Sequence, residues 1–169
     1  MSSRKYKVMV VDDDESICNS LCKLLDSEGY QVISAPNGAE AVDTFHREQN
    51  QIDLLLVDLN MPIRNGWVTL YQLMEINPSV PVFILTGLSH QNELAEAAGV
   101  SALVEKPIDV PRLVQLIQKQ LVGSALSPLF QPTGHRVFPF YWLRAARDAQ
   151  RAQWGELLVT PYDHWGLNE

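Results

Sequence analysis

Five short apolar, β-rich runs, at 7–11, 31–35, 52–57, 80–85 and 102–104, are each followed by a segment of helical character. That alternation is the pattern of βα units wound on one parallel sheet, and little else accommodates it. The central runs are apolar because strands covered by helices on both faces have no solvent side to display. After the first run, Ile17, Leu21, Leu24 and Leu25 form a stripe at helical spacing, and Gly29 supplies its stop. A second helix is expected over 39–46, behind Asn37-Gly38. A third runs from an Asn65 cap to residue 76, a short fourth covers 91–98, and Pro111 opens a fifth that reaches 122.

At Gly123 the pattern changes to Gly-Ser-Ala-Leu-Ser-Pro, and Pro128, Pro132 and Pro139 keep the next stretch of chain from forming long regular elements. The expected organisation is therefore a main domain at 1–122, a linker at 123–139 and an extension at 140–169. Of the fourteen aromatic residues eight fall after residue 123, among them Trp142, Trp154 and Trp165, which is not the composition of a disordered polar tail. A helix over 140–153 would carry Trp142, Ala145, Ala149 and Ala152 on one side and Arg144, Arg147, Asp148 and Arg151 on the other. So short a helix needs a packing partner, either the main domain or a second copy of the chain.

In an open parallel sheet, ligands bind outside the carboxyl ends of the strands. There the first run ends in Asp12, Asp13 and Asp14, the third in Asp58 and the fourth in Thr86, and the fifth is followed one residue later by Lys106-Pro107. Each of these alone is ordinary; acids after a strand are most often a solvated helix start, the reading kept for Asp14 and Glu15. Together they open on one crevice. Carboxylates brought together repel unless a cation neutralises them, and Asp12, Asp13 and Asp58 offer the hard oxygen ligands that suit Mg²⁺. A carboxylate so placed can attack phosphorus, with the Thr86 hydroxyl and the Lys106 ammonium sharing the charge of the phosphoryl oxygens.

The segments VVDDDES, LLLVDLNMPIRNGW, LTG and EKPI resemble the signature of bacterial response-regulator receiver domains over residues 5–122. The resemblance implies a flavodoxin-like doubly wound α/β fold, five strands in the order 2-1-3-4-5 with five helices. It also implies direct Mg²⁺ ligation by Asp13 and Asp58, Asp12 acting through water, the Asn60 backbone carbonyl completing the set, and a cis Lys106-Pro107 bond. Asp58 would take its phosphoryl group from a phosphohistidine of a sensor histidine kinase or phosphotransfer protein, in a two-component or phosphorelay pathway. The output would be contact with a downstream protein or a second copy of the chain. One departure stands out. Three residues before the lysine, where the family carries an aromatic residue that turns inward on activation, this chain has Leu103. The chemistry can be intact while its readout is altered, so a constitutive adaptor or dimerisation module with the same fold is the alternative.

Several classes fit poorly. A haloacid-dehalogenase-like phosphatase needs an acid two residues after its aspartyl nucleophile, and Asn60 occupies that place, so slow self-dephosphorylation rather than turnover is expected. Residues 1–122 carry nine Lys and Arg against sixteen Asp and Glu, which disfavours direct DNA binding by this part. The extension is neutral overall and shows no recognition helix, so a helix-turn-helix is not expected there. His46, His90, His135 and His164 have no ligand spacing. Cys18 and Cys22, four apart on a helix, are read as free thiols in a reducing cytoplasm, and no apolar stretch approaches a membrane span or a signal-peptide core.

Overall fold

The computed structural model describes residues 4–61, 66–87, 95 and 98–126. Its order is β1 (Lys7–Val11), α1 (Glu15–Ser27), β2 (Gln31–Ala35), α2 (Gly38–Glu48), β3 (Leu54–Asp58), α3 (Gly66–Ile76), β4 (Val82–Thr86), β5 (Ala102–Glu105) and α4 (Val110–Leu126). The five strands form one sheet in the order β2-β1-β3-β4-β5, and every pairing is parallel. This is the flavodoxin-like doubly wound fold.

Because successive strand residues point to opposite faces, each apolar strand feeds two cores. Met9, Val11, Leu55, Val57, Val82 and Ile84 pack with Ala41 and Phe45 of α2 and with Trp67, Leu70, Leu73 and Met74 of α3. Val8, Val10, Leu54, Leu56, Phe83 and Leu85 pack on the other face with Leu21 and Leu25 of α1 and with Leu113, Ile117 and Leu121 of α4. Cys18 joins this second core as a small apolar group, so the buried line of α1 is Cys18, Leu21 and Leu25, while Ile17 and Leu24 are half-buried. Burial, with Cys22 nearby, pushes the Cys18 thiol up to about 11. Both cysteines are free, as expected.

Several expected boundaries move, each for a backbone reason. β3 starts at Leu54, two residues late, because Asp53 is occupied with the start of β1: its N–H donates to the Lys7 carbonyl, and its carboxylate accepts from the Lys7 N–H and from Arg4. β4 starts at Val82 because Pro81, with no N–H to give, contributes only its carbonyl, to Leu55. Asp58 and Thr86 are the last residues of their strands rather than the first beyond them. The last helix continues through Gly123 to Leu126, two residues short of Pro128, which disfavours helical backbone at the residue before it. Asp109 caps that helix: its carbonyl accepts from the Leu113 N–H and its carboxylate from the Arg112 N–H. Gly29, at φ +89°, ends α1 as anticipated.

The Asn65 cap lies outside the described residues, as do the short helix at 91–98, apart from Ala95 and Ala98, and everything after Leu126.

Candidate functional site

The register of the sheet builds the site. Val11 of β1 lies level with Val57 of β3, so the residues that follow, Asp12 just beyond β1 and Asp58 at the end of β3, bring two carboxylates side by side. This is also where the winding direction reverses, β2 lying on one side of β1 and β3 on the other. Asp12 and Asp58 are 1% and 2% exposed, a burial that charged groups tolerate only when paired.

The pairing is symmetrical. Lys106 Nζ donates to Asp12 Oδ2 at 3.0 Å and to Asp58 Oδ2 at 2.9 Å. The remaining oxygens are held by the backbone two residues on. Asp12 Oδ1 accepts from the Asp14 N–H at 2.9 Å, and Asp58 Oδ1 accepts from the Asn60 N–H at 3.0 Å. These i to i+2 bonds are Asx-turns, and they fix both carboxylates before any ligand arrives. Asp14 in turn caps α1, accepting from the N–H groups of Ser16 and Ile17 at 2.9 and 3.1 Å. One chain of short bonds therefore ties the acid pair to the start of a helix.

Asp13 is exposed but belongs to the same group: Asp12, Asp13 and Asp58 each offer an oxygen, all within 4.8 Å of one another. Burial raises the Asp12 carboxyl above its usual value and the charge of Asp58 adds to this, while the bonds from Lys106 and Asp14 only partly offset it. Burial alone would lower Lys106, but its hydrogen bonds to Asp58 and Asp12 outweigh that and hold it above its usual value. Asp12, Asp58 and one ammonium already leave a net negative site, and Asp13 deepens it. A hard cation with oxygen ligands fits this donor set.

Thr86 is fully buried at the end of β4, and its carbonyl accepts from the Lys106 N–H at 2.7 Å, tying the threonine's backbone to the lysine's. The Lys106–Pro107 bond is cis. Asn60 meets Asp58 through its backbone N–H, and its side-chain nitrogen sits 3.4 Å from where a Cβ on Gly87 would lie. The expected site residues thus come to one end of the sheet. Leu103 is half-buried against the core that also holds Ala95 and Ala98.

A close approach at Gly66 was not legible beforehand. A Cβ there would lie 2.3 Å from the Asp58 carbonyl oxygen and 2.4 Å from Leu59 Cα, and the Gly66 N–H donates to the Leu59 carbonyl at 3.3 Å. Since both obstacles are backbone, no side-chain rotation relieves them. Gly66→Ala is expected to cost about 1–3 kcal/mol by overpacking, measured by urea unfolding. A variant as stable as the parent would show that α3 can start farther from β3.

The fold and site define a doubly wound α/β domain with an acidic crevice, spanned by one ammonium, at its switch point. The chain belongs to the response regulator receiver domain family, whose model matches residues 8–118. Among curated proteins it is 36% identical over 129 residues to the transcriptional regulatory protein ZraR of Klebsiella oxytoca, spanning 75% of this chain and 29% of that protein. It is 35% identical to the transcriptional regulatory protein GlrR of Escherichia coli K12, spanning 74% and 28%. The chain therefore matches less than a third of the length of these relatives. Among solved structures, a receiver domain protein from Clostridium thermocellum matches with a TM-score of 0.67 and 28% identity, covering 72% of this chain and 98% of that one. The response regulator TrrA of Thermotoga maritima, in complex with Mg²⁺ and BeF, matches with a TM-score of 0.62 and 27% identity, covering 69% and 99%.

Because the matched relatives are transcriptional regulatory proteins, they lend no support to the expectation that DNA is an unlikely partner. No described helix is long and apolar enough to cross a membrane.

Proposed function

We propose that this chain is a phosphorylation switch of a two-component or phosphorelay system, in which Asp58 accepts a phosphoryl group from a phosphohistidine of a sensor histidine kinase or phosphotransfer protein. The observation that carries this reading is the Lys106 ammonium shared between Asp12 and Asp58, with Asp13 in the same cluster. In the transfer, an Asp58 carboxylate oxygen forms the new bond to phosphorus while the bond from phosphorus to the imidazole nitrogen breaks, and the imidazole leaves with that electron pair. Lys106, 2.9 Å from Asp58, is close enough to follow the phosphoryl oxygens, and Thr86 at the neighbouring strand end supplies a hydroxyl. The carboxylates of Asp12, Asp13 and Asp58 and the Asn60 carbonyl would hold Mg²⁺. When bound, the ion supplies charge neutralisation for the phosphoryl oxygens.

Asn60 has no carboxyl group to activate water, which supports a long-lived phosphoryl state rather than turnover. The proposed output is protein contact, in a reducing cytoplasm, a setting that the two free thiols fit. The proposed organisation is a receiver at 1–122 whose last helix runs on to Leu126, then a linker ending at 139 and an extension at 140–169. The adaptor alternative draws its support from Leu103, whose packing against the core offers no aromatic ring to swing.

Intact mass after incubation with acetyl phosphate tests the reading: one phosphoryl adduct with Mg²⁺, and none when EDTA removes it. An adduct that forms equally in EDTA would count against the proposed metal. Metal binding alone should also stabilise the fold. At ten times its dissociation constant Mg²⁺ would add about 1.4 kcal/mol, which for a domain of this size raises Tm by about 5 °C. Ca²⁺-free thermal scans with and without Mg²⁺ read this, and coincident curves would argue that the acids do not bind the ion.

A further inference from the structure

β5 is an edge strand, paired to β4 on one side only among the described residues. A groove of about 410 Å³ is lined by Leu103, Val104 and Glu105 of this strand, by Lys106, and by Asp109 and Arg112 at the start of α4. Consecutive strand residues face opposite ways, so a groove touching all three lies at the free edge of the strand. Its volume is in the range of pockets that hold a ligand or large side chains, about 300–1,000 Å³. Glu105, Asp109 and Arg112 are exposed, and Leu103 is half-buried. Val110 and Val122, the exposed large apolar residues among those described, stand near the two ends of α4.

We propose that this groove is the docking site of the chain's own C-terminal segment 136–153, bound in cis through Trp142 and its neighbouring arginines. Three observations favour that occupant. The first is charge: Lys106 is engaged by Asp12 and Asp58, which leaves the exposed acids Glu105 and Asp109 against Arg112 along the groove, whereas all four basic residues beyond 123 fall at Arg136, Arg144, Arg147 and Arg151, with Asp148 the one acid among them. The second is side-chain type, since Phe138, Phe140, Tyr141 and Trp142 lie directly before Arg144, and aromatic residues with arginine are the usual anchors of protein interfaces. The third is reach. The 17-residue α4 is about 26 Å long, whereas residues 127–135 can extend to about 30 Å, enough to return from Leu126 to the groove. A tether of that length also gives the segment a high effective concentration over its own receiver, which favours docking in cis over a second copy. Because Lys106 lines the groove and holds Asp12 and Asp58, the docked segment would sit directly behind the acid site.

The test uses the full chain with the photo-reactive residue benzoylphenylalanine in place of Trp142, mixed with an equal amount of heavy-isotope chain. The expected result is a cross-link to the peptide containing 103–112 within one chain. Cross-links between light and heavy chains, cross-links elsewhere or no cross-link would each overturn docking in cis at this groove. Hydrogen exchange provides a second readout: the amides of 103–112 should lose protection when Arg144, Arg147 and Arg151 are all replaced by Glu, substitutions that leave the receiver sequence untouched. Unchanged protection overturns the proposal. Binding of duplex DNA that the same triple substitution removes, with no change at 103–112, would assign the segment to nucleic acid instead.

Discussion

Replacing Asp58 by Asn is expected to abolish labelling by acetyl phosphate completely while leaving the fold in place. The loss follows from chemistry, because an amide oxygen is far too weak a nucleophile to attack phosphorus, and no neighbouring group can substitute. Asp12 is equally buried, but its Oδ1 and Oδ2 are bound to the Asp14 N–H and to Lys106, and it stands on the next strand. Retention of the fold follows from shape. Asn fills the same space, but one of its two terminal atoms now donates, so it faces either the Asn60 N–H or the Lys106 ammonium with the wrong polarity. One lost hydrogen bond costs about 1 kcal/mol. Against this, a carboxylate that raises the pKa of Asp12 has gone. The two effects oppose, and a Tm within a few degrees of the parent is the expected outcome. Intact mass and thermal unfolding on the same sample check both halves. Labelling at the parent stoichiometry would refute Asp58 as the acceptor.

How far the fold and the site were legible in the sequence depended on which physical level encoded each feature. The five strands were legible because strands buried on both faces must be apolar, and the order of the sheet followed once the family resemblance was admitted. Their ends were less so. Asp53 and Pro81 divert backbone groups at the starts of β3 and β4, a matter of hydrogen bonding that hydropathy does not record. Cys18 joined the core beside the partly buried Ile17, because the helix centres its buried line on Cys18, Leu21 and Leu25. The Asp12, Asp13, Asp58, Thr86 and Lys106 set was visible because polar residues recurred after apolar runs. No one of them would have sufficed.

The features missed at the site are backbone contacts. The Asx-turns at Asp12 and Asp58 could have been suspected from the residue type, since Asp readily accepts from the N–H two residues on. The close approach at Gly66 could not, because it depends on where the chain lies after β3 has been placed against β1 and β4. A glycine in a turn usually answers for a dihedral angle; this one answers for the distance between α3 and the carbonyl of Asp58.

Lys106→Ala should be among the most damaging single substitutions to the metal-free fold and should be rescued by Mg²⁺. Without the ammonium, Asp12 and Asp58 remain buried at 1% and 2% exposure with no cation between them. Removing one member of a buried pair costs about 3–5 kcal/mol, and the lower end applies here because the lysine is itself 20% exposed and water can enter in its place. Protonation of one carboxyl sets a ceiling, since carrying a proton at pH 7 on a group of ordinary pKa costs about 4 kcal/mol. That escape also fixes the sign of the pH dependence. The folded-state pKa of Asp12, already raised, rises further when Lys106 goes, so between the unfolded and folded values the folded state binds the extra proton. Stability relative to the parent should therefore improve as pH falls through that window, opposite to the usual acid loss from carboxylates whose pKa is depressed. Mg²⁺ should recover most of the deficit at neutral pH and bind more tightly than to the parent, because it no longer competes with the ammonium. Urea unfolding at pH 5 and pH 7, each with EDTA and with Mg²⁺, measures all of these. A deficit that is the same in all four conditions would show that Lys106 contributes packing rather than charge.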